Sequence, residues 1–206
     1  MPLQNRVDPW GAIFRSPARG TLMGNRGALH NDSRELVRPF KLQRWISCLL
    51  EFKRRRRSVM APGRYTELFF LDEAVAFAAG HRPCAECRRQ RFNAFKEAWL
   101  RRGVPRRTEP LRAPEIDAEL HHARLDNSGG KVTYQSALAA LPNGCFVEID
   151  GDAYLVWSNA LVLWTAAGYA SEIPRPGRLT VTVLTPRPIV ECFRCGYVPE
   201  TSRNDA

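Results

Sequence analysis

Cysteine and histidine are the residues of this 206-residue chain best suited to metal or thiol chemistry, and it contains six and four of them. Two of the cysteines, Cys84 and Cys87, stand three positions apart within residues 80–87. Thiolates at this spacing form half of a tetrahedral zinc site. The stretch therefore predicts a Zn²⁺ site in which Cys84 and Cys87 supply two ligands.

The pattern of apolar and capping residues places this half-site between two helices. Asp72 is a suitable N-cap for the first helix, which Gly80 and Pro83 end. The second helix is predicted over about residues 84–102. Its buried face is predicted to contain Phe92, Phe95 and Trp99. Both cysteines would then lie in the first turn, where free N–H groups and the positive end of the helix dipole stabilise thiolates.

Residues 22–30 and 65–92 resemble the Ada-type metal-binding module, which occurs in alkylation-repair proteins and as a tail domain of some nucleases. The resemblance rests on Gly24-Asn25 ahead of His30, on Phe70 followed by Ala74, and on Ala79-Gly80-His81-Arg82-Pro83-Cys84-Ala85-Glu86-Cys87. It covers about residues 22–92 and implies a treble-clef-like zinc module with Cys84 and Cys87 as ligands. In the repair proteins, one metal-bound cysteine accepts a methyl group from DNA.

Two pairs of residues compete to complete the zinc site. His30 has the position of the family's first ligand, but the cysteine that follows four residues later in the family is missing here, and Cys48 is the next thiol. Cys192 and Cys195 form a second Cys-x-x-Cys pair. His30 with Cys48 would close the site within the N-terminal half. The second pair would connect the end of the chain to its middle.

Positive charge is concentrated in residues 1–112, which contain 24 lysine and arginine residues against 10 acidic ones, a net of +14. Residues 113–206 contain 7 against 11, a net of −4. A basic half favours an acidic polymer as partner, most simply nucleic acid, and DNA in particular. The predicted contacts are Arg54, Arg55, Arg56, Arg57, Arg88, Arg89 and Arg91. The leading prediction is a zinc-stabilised nucleic-acid-binding protein of DNA repair or processing.

Three alternatives to that function stay open. Cys48, which precedes the arginine run, would be the acceptor if the chain removed alkyl groups from DNA. Asp117 and His121 stand four residues apart on a predicted helix, where a carboxylate can orient an imidazole as the general base of a hydrolase. The third alternative is a redox or protein-interaction module that binds no nucleic acid.

The predicted fold is α+β, with a treble-clef-like zinc module of short strands and two helices over residues 1–108. A small, mostly β unit follows over residues 109–206, after a boundary rich in proline and arginine. The second unit is predicted to contain helices at 114–125, 134–140 and 189–195, a hairpin around Asp150-Gly151 and two further strands.

Hydropathy and cysteine usage predict the compartment. The chain has no run of 18 apolar residues and no signal-peptide pattern at its start, so we expect a cytoplasmic protein without a membrane span. In that compartment, the six cysteines are expected to be metal ligands or free thiols rather than disulfides.

Overall fold

The computed structural model describes residues 1–54, 58–103 and 109–203. These residues form a mixed α+β structure with two six-stranded sheets and four α-helices. The predicted α+β class is therefore confirmed. No helix in these ranges is long and apolar enough to cross a membrane.

The first sheet contains the N-terminal strands in the order β2-β1-β5-β3-β4-β6. These strands are β1 (Gln4–Val7), β2 (Ile13–Arg15), β3 (Leu22–Asn25), β4 (Ile46–Leu49), β5 (Leu68–Phe70) and β6 (Arg82–Pro83). β3 pairs antiparallel with β4 and β5, whereas β4 and β6 are parallel. In the β4–β6 register, Ser47 stands opposite Pro83. Since Cys48 and Cys84 follow these two residues, the register brings the two cysteines side by side.

The second sheet is antiparallel throughout and has the order β11-β10-β9-β8-β12-β7. Its strands are β7 (Tyr134–Ala137), β8 (Phe146–Ile149), β9 (Asp152–Trp157), β10 (Ala160–Thr165), β11 (Gly168–Pro174) and β12 (Thr180–Val183). The β8–β9 hairpin confirms the turn predicted at Asp150-Gly151. The helix predicted at 134–140 is wrong, because residues 134–137 pair with β12 and only Leu138–Ala140 form a short 3₁₀ turn.

Four helices pack against the sheets: α1 (Glu73–Ala78), α2 (Arg89–Leu100), α3 (Ala113–Arg124) and α4 (Arg187–Arg194). As predicted, the Asp72 carboxylate caps α1 by accepting a hydrogen bond from the Val75 N–H. Gly80 ends α1 with a φ of 80°, and the N–H of His81 then bonds to the Ala76 carbonyl. This is the left-handed helix end that the glycine predicts.

Two hydrophobic clusters each contain residues from both sides of the boundary predicted at residue 108. Residues 104–108 themselves lie outside the described residues. One cluster joins Phe77 and Phe95 to Leu161 and other residues of the second sheet. The other joins residues of β5 and α1 to β8, β9 and β10. The two predicted units therefore share their cores.

Basic side chains from the C-terminal half close the end of α1. Lys131 Nζ donates to the Ala78 carbonyl at 2.7 Å, and Arg124 donates to the Gly80 carbonyl at 2.9 Å. Cations are stabilised here because the last carbonyls of a helix carry partial negative charge. Burial, followed by repulsion from nearby Arg26, lowers the pKa of Lys131 to about 7.

Replacing Gly80 with Ala tests how tightly this helix end is packed. An alanine Cβ at position 80 would lie 2.6 Å from Arg124 Cδ, which is too close. The positive φ of this residue is also unfavourable for alanine. We expect the free energy of unfolding to fall by about 2–4 kcal/mol. Urea denaturation measures this change, and the m-value should stay the same.

The matched control is Gly63→Ala, since Gly63 has a φ of 70° and no atom lies within 4 Å of the point that an alanine Cβ would occupy. That variant carries only the backbone cost of about 1 kcal/mol. Equal losses in the two variants would show that the Arg124 packing contributes nothing.

Candidate metal centre

Three thiols meet beside the end of β4. The sulfur atoms of Cys48, Cys84 and Cys87 all lie within 4.8 Å of one another. Sulfur ligands about 2.3 Å from a tetrahedral zinc ion lie roughly 3.8 Å apart, so small side-chain adjustments would bring these three to metal-binding distance. Among the described residues, no other group of three or more His, Cys, Asp or Glu side chains could hold a metal ion.

Backbone pairing, rather than a helix, positions Cys84. Its N–H donates to the Ser47 carbonyl at 2.9 Å, which extends the pairing of β4 with β6. The Arg88 N–H then bonds to the Cys84 carbonyl at 3.1 Å and closes a turn that contains Cys87. α2 begins only at Arg89. The predicted helix start at residue 84 is therefore wrong, and both cysteines lie in the turn that precedes the helix.

Hydrogen bonds to sulfur favour one thiolate in this cluster. The thiols of Cys48 and Cys87, followed by backbone N–H groups, lower the pKa of Cys84. The Glu86 N–H lies 3.4 Å from Cys84 Sγ. The same sulfur contacts, with burial, raise the pKa of Cys48. A bound divalent cation would displace the shared protons, because metal-ligating cysteines are thiolates.

Arg88 supports both ligand segments from behind. It follows Cys87 directly, and its guanidinium donates to the hydroxyl of Ser47, the residue before Cys48, at 3.2 Å. The same side chain pairs with Glu73 at 2.9 Å and with Glu200 at 2.7 Å, and is only 2% exposed. Arg88 therefore connects the cysteine turn to the start of α1 and to Glu200.

The arginines predicted to contact nucleic acid fall into three groups. Arg88 and Arg91 both pair with the buried Glu73 carboxylate; the Arg88 side chain is 2% exposed, whereas that of Arg91 is 28% exposed. Arg54 and Arg89 are exposed. The remaining three, Arg55, Arg56 and Arg57, lie outside the described residues.

The other predicted metal ligands, His30 and the competing pair Cys192 and Cys195, do not join the thiol cluster. His30 Nδ1 is 2.6 Å from the Thr66 hydroxyl, and its Nε2 is 3.2 Å from the Ala61 carbonyl, so both ring nitrogens have partners. Cys192 is buried in the core on α4, and Cys195 forms the C-cap of that helix. In the described part of the chain, neither cysteine joins a group that could hold a metal.

The structure also separates the residues predicted for catalysis. Asp117 is buried and accepts two hydrogen bonds from Arg82, at 2.8 and 2.7 Å, rather than bonding to His121. His121 Nδ1 instead lies 3.0 Å from an Arg124 nitrogen. Burial and the Arg124 charge lower the pKa of His121. Cys48, the predicted alkyl acceptor, is 8% exposed and less accessible than Cys84 or Cys87.

The sequence did not reveal the polar groups behind the metal centre. Ser47, Glu73 and Glu200 are far apart in the chain and share no motif. The sole local signal is Glu73 in the first turn of α1, where an acidic side chain suits the helix dipole. Its role as partner of Arg88 depends on the tertiary fold.

Comparison of the chain with models of known protein families, with curated protein sequences and with solved structures found no match. The candidate function therefore depends on the geometry of the thiol cluster and on the distribution of charge.

Alkylation of the metal-free protein by iodoacetamide should distinguish Cys84 from the other thiols. Cys84 should react roughly tenfold faster at pH 7 than Cys195, which is similarly half-buried but lies outside the cluster. Cys145 should hardly react, since burial raises its pKa. Peptide mass spectrometry measures the three rates. Equal rates for Cys84 and Cys195 would contradict the shared-thiolate arrangement.

Proposed function

We propose that this chain is a zinc-binding protein in which Cys48, Cys84 and Cys87 are the ligands. The observation that carries this proposal is the convergence of the three sulfur atoms within 4.8 Å. Thiolate donors favour Zn²⁺ over Mg²⁺, Ca²⁺ or Mn²⁺, which prefer oxygen. Bound zinc would connect β4 to the turn ahead of α2, and its binding energy would stabilise the fold.

We infer a treble-clef-like, Ada-type arrangement for this site. Ligands from a strand and from a turn ahead of a helix suit such a module, and Cys48 would be the strand ligand, whereas His30, at the position of the family's first ligand, does not join the thiol cluster. In the Ada-type family, a cysteine follows the first ligand four residues later. The fourth residue after Cys48 is Phe52, whose side chain has no metal donor.

Metal analysis of the purified protein tests the zinc proposal. We expect one zinc ion per chain, and its loss in Cys48→Ser, Cys84→Ser and Cys87→Ser with a large drop in thermal midpoint. His30→Gln and Cys195→Ser are the controls and should keep the metal. A metal-free wild-type protein, or zinc loss in His30→Gln with all three cysteine variants loaded, would refute this ligand set.

We also propose that the basic half binds nucleic acid, with DNA as the favoured partner and repair or processing as the role. Residues 36–50 contain no acidic side chain, and their cations Arg38, Lys41 and Arg44 are all exposed just ahead of β4. Exposed Arg54 and Arg89 continue this basic set, Arg54 six residues after Cys48 and Arg89 two residues after Cys87. Arginine and lysine bind phosphates through charge-assisted hydrogen bonds.

Salt dependence of DNA binding tests this surface. Replacing Arg38, Lys41 and Arg44 together with Gln should lower the slope of log K against log salt by roughly 2–3 on duplex DNA, if each contacts a phosphate. Fluorescence anisotropy at several salt concentrations gives the slopes.

The control for this test carries Gln at three exposed arginines of the C-terminal half, Arg178, Arg187 and Arg194. It loses the same formal charge and should leave the slope nearly unchanged. Equal effects of the two triple variants, or no binding of wild type at low salt, would count against a defined surface.

A reducing compartment, such as the cytoplasm, fits this proposal. All six cysteines are free thiols in the structure. Neighbouring cysteines stay reduced in compartments where disulfide formation is disfavoured. A thiolate metal site needs its cysteines in this reduced form.

A further inference from the structure

A small recess lies where the end of β10 meets the β2-β1-β5 side of the first sheet. Its walls include arginine and aromatic side chains from both sheets: Arg6, Phe14, Arg19, Phe69 and Trp164. The space inside has a volume of about 10 Å³ and is partly open to solvent. It admits one oxygen-sized atom and is too small for a base or a sugar ring.

The charge around this recess is positive. Two arginines line it, and none of the lining residues is acidic. Burial lowers the pKa of Arg6, and no carboxylate of the described residues offsets that effect. Arg19 is exposed, and its guanidinium has no partner in the described part of the chain. An anionic group at the recess would therefore meet two positive charges that lack acidic partners.

The guanidinium of Arg6 is held in place before any ligand binds. Its Nε donates to the Ala18 carbonyl, and its Nη1 donates to Asn5 Oδ1 at 2.6 Å. The group also lies 4.8 Å from the centroid of the Phe69 ring, since Arg6 and Phe69 stand side by side in the β1–β5 register. Among the described residues, Nη2 has no acceptor. Because these contacts already fix the side chain, little conformational entropy is lost when Nη2 binds a ligand.

The indole N–H of Trp164 is a second donor without a partner. It is buried, and no atom of the described residues accepts a hydrogen bond from it. The neighbouring indole of Trp10, whose ring centroid lies 6.4 Å away, instead donates to Glu148 at 2.6 Å. A buried donor without an acceptor is unfavourable. An oxygen atom bound beside Trp164 would supply the missing acceptor.

We propose that the recess binds a backbone phosphate of nucleic acid. This inference rests on the proposed nucleic-acid function and names one of its contact sites. A phosphate diester has two free oxygens, one of which would enter the recess while the other meets Arg19 at its mouth. Arginine donates to such oxygens through charge-assisted hydrogen bonds. The size of the recess fits this group, because only a single atom has to enter.

The indole N–H resonance of Trp164 provides a direct test by NMR of the ¹⁵N-labelled protein. The resonance is identified by its absence in Trp164→Phe. We expect it to move downfield on saturation with duplex DNA, and with inorganic phosphate at higher concentration, because a phosphate oxygen becomes its acceptor. Sodium chloride at equal ionic strength should not move it. The Trp10 resonance is the control and should shift much less, since this indole already has an acceptor.

Replacing Arg19 with Gln tests the charge at the mouth of the recess. Because Arg19 is exposed, the variant should keep the fold of wild type. The loss of one phosphate contact should lower the slope of log K against log salt by roughly 1 on duplex DNA. Arg178→Gln removes an exposed arginine of the C-terminal half and should leave the slope unchanged. Equal slopes for wild type and Arg19→Gln would contradict a phosphate contact at the recess.

Replacing Trp164 with Phe tests the donor separately from the charge. The variant keeps an aromatic ring and the net charge but lacks the indole N–H. It should bind DNA roughly two- to tenfold more weakly with an unchanged salt slope, because a hydrogen bond but no charge is lost. The thermal midpoint checks that the fold is intact. Wild-type affinity in this variant would refute the role of the indole N–H.

The outcomes distinguish this inference from the proposed nucleic-acid function. A protein that binds no DNA at low salt would refute both. DNA binding with a stationary Trp164 resonance would refute only the recess. A shift with inorganic phosphate but none with bound DNA would show a site for free phosphate, and would overturn the assignment to nucleic acid.

Discussion

The hydrogen bond from the Cys84 N–H to the Ser47 carbonyl is the constraint on which the thiol cluster depends. It continues the parallel pairing of β4 and β6, in which Ser47 stands opposite Pro83. Because side chains alternate along a strand, a shift of one residue in this register would turn Cys48 to the other face of the sheet. The three thiols converge because two segments distant in sequence share one register.

The residues between α1 and the metal centre fix that register through the protein interior. Gly80 reverses the chain, and His81 is fully buried and accepts a hydrogen bond from Arg26 at 3.2 Å. Arg82 forms two hydrogen bonds with Asp117 of α3. The motif that precedes Cys84 therefore attaches the N-terminal sheet to the C-terminal half. The buried Arg82–Asp117 ion pair strongly favours this one placement of the two segments, because separating the partners would leave an unpaired buried charge.

Part of the positive charge of the chain serves the interior rather than a partner. The guanidiniums of Arg26 and Arg124 lie on the ring of Trp45, 4.0 and 3.9 Å from its centroid. Both are buried, and burial lowers the pKa of each to about 9. Such arginines are held by carbonyls and aromatic faces. Composition alone does not separate them from the exposed cations of residues 36–50.

Features that depend on local chemistry could be predicted from the sequence, and features that depend on pairing could not. The Asp72 cap, the Gly80 helix end and the β8–β9 turn each follow from a few adjacent residues. That Cys48 joins Cys84 and Cys87 while His30 does not depends on which strand lies beside β6. Residues Tyr134–Ala137 form a strand through pairing with distant β12. β11 lacks a predictive pattern because it is an edge strand with mostly exposed side chains.

The contacts of Glu73 have a consequence for how the protein is made. This buried carboxylate accepts hydrogen bonds from the Tyr197 hydroxyl and the Glu200 N–H, and Glu200 in turn pairs with Arg88. Residues 197–200 leave the ribosome about a hundred residues after the cysteine turn. Until then, Glu73 and Arg88 lack the partners that residues 197–200 supply. The part of the support behind the thiol cluster that runs through Glu200 therefore forms late in synthesis.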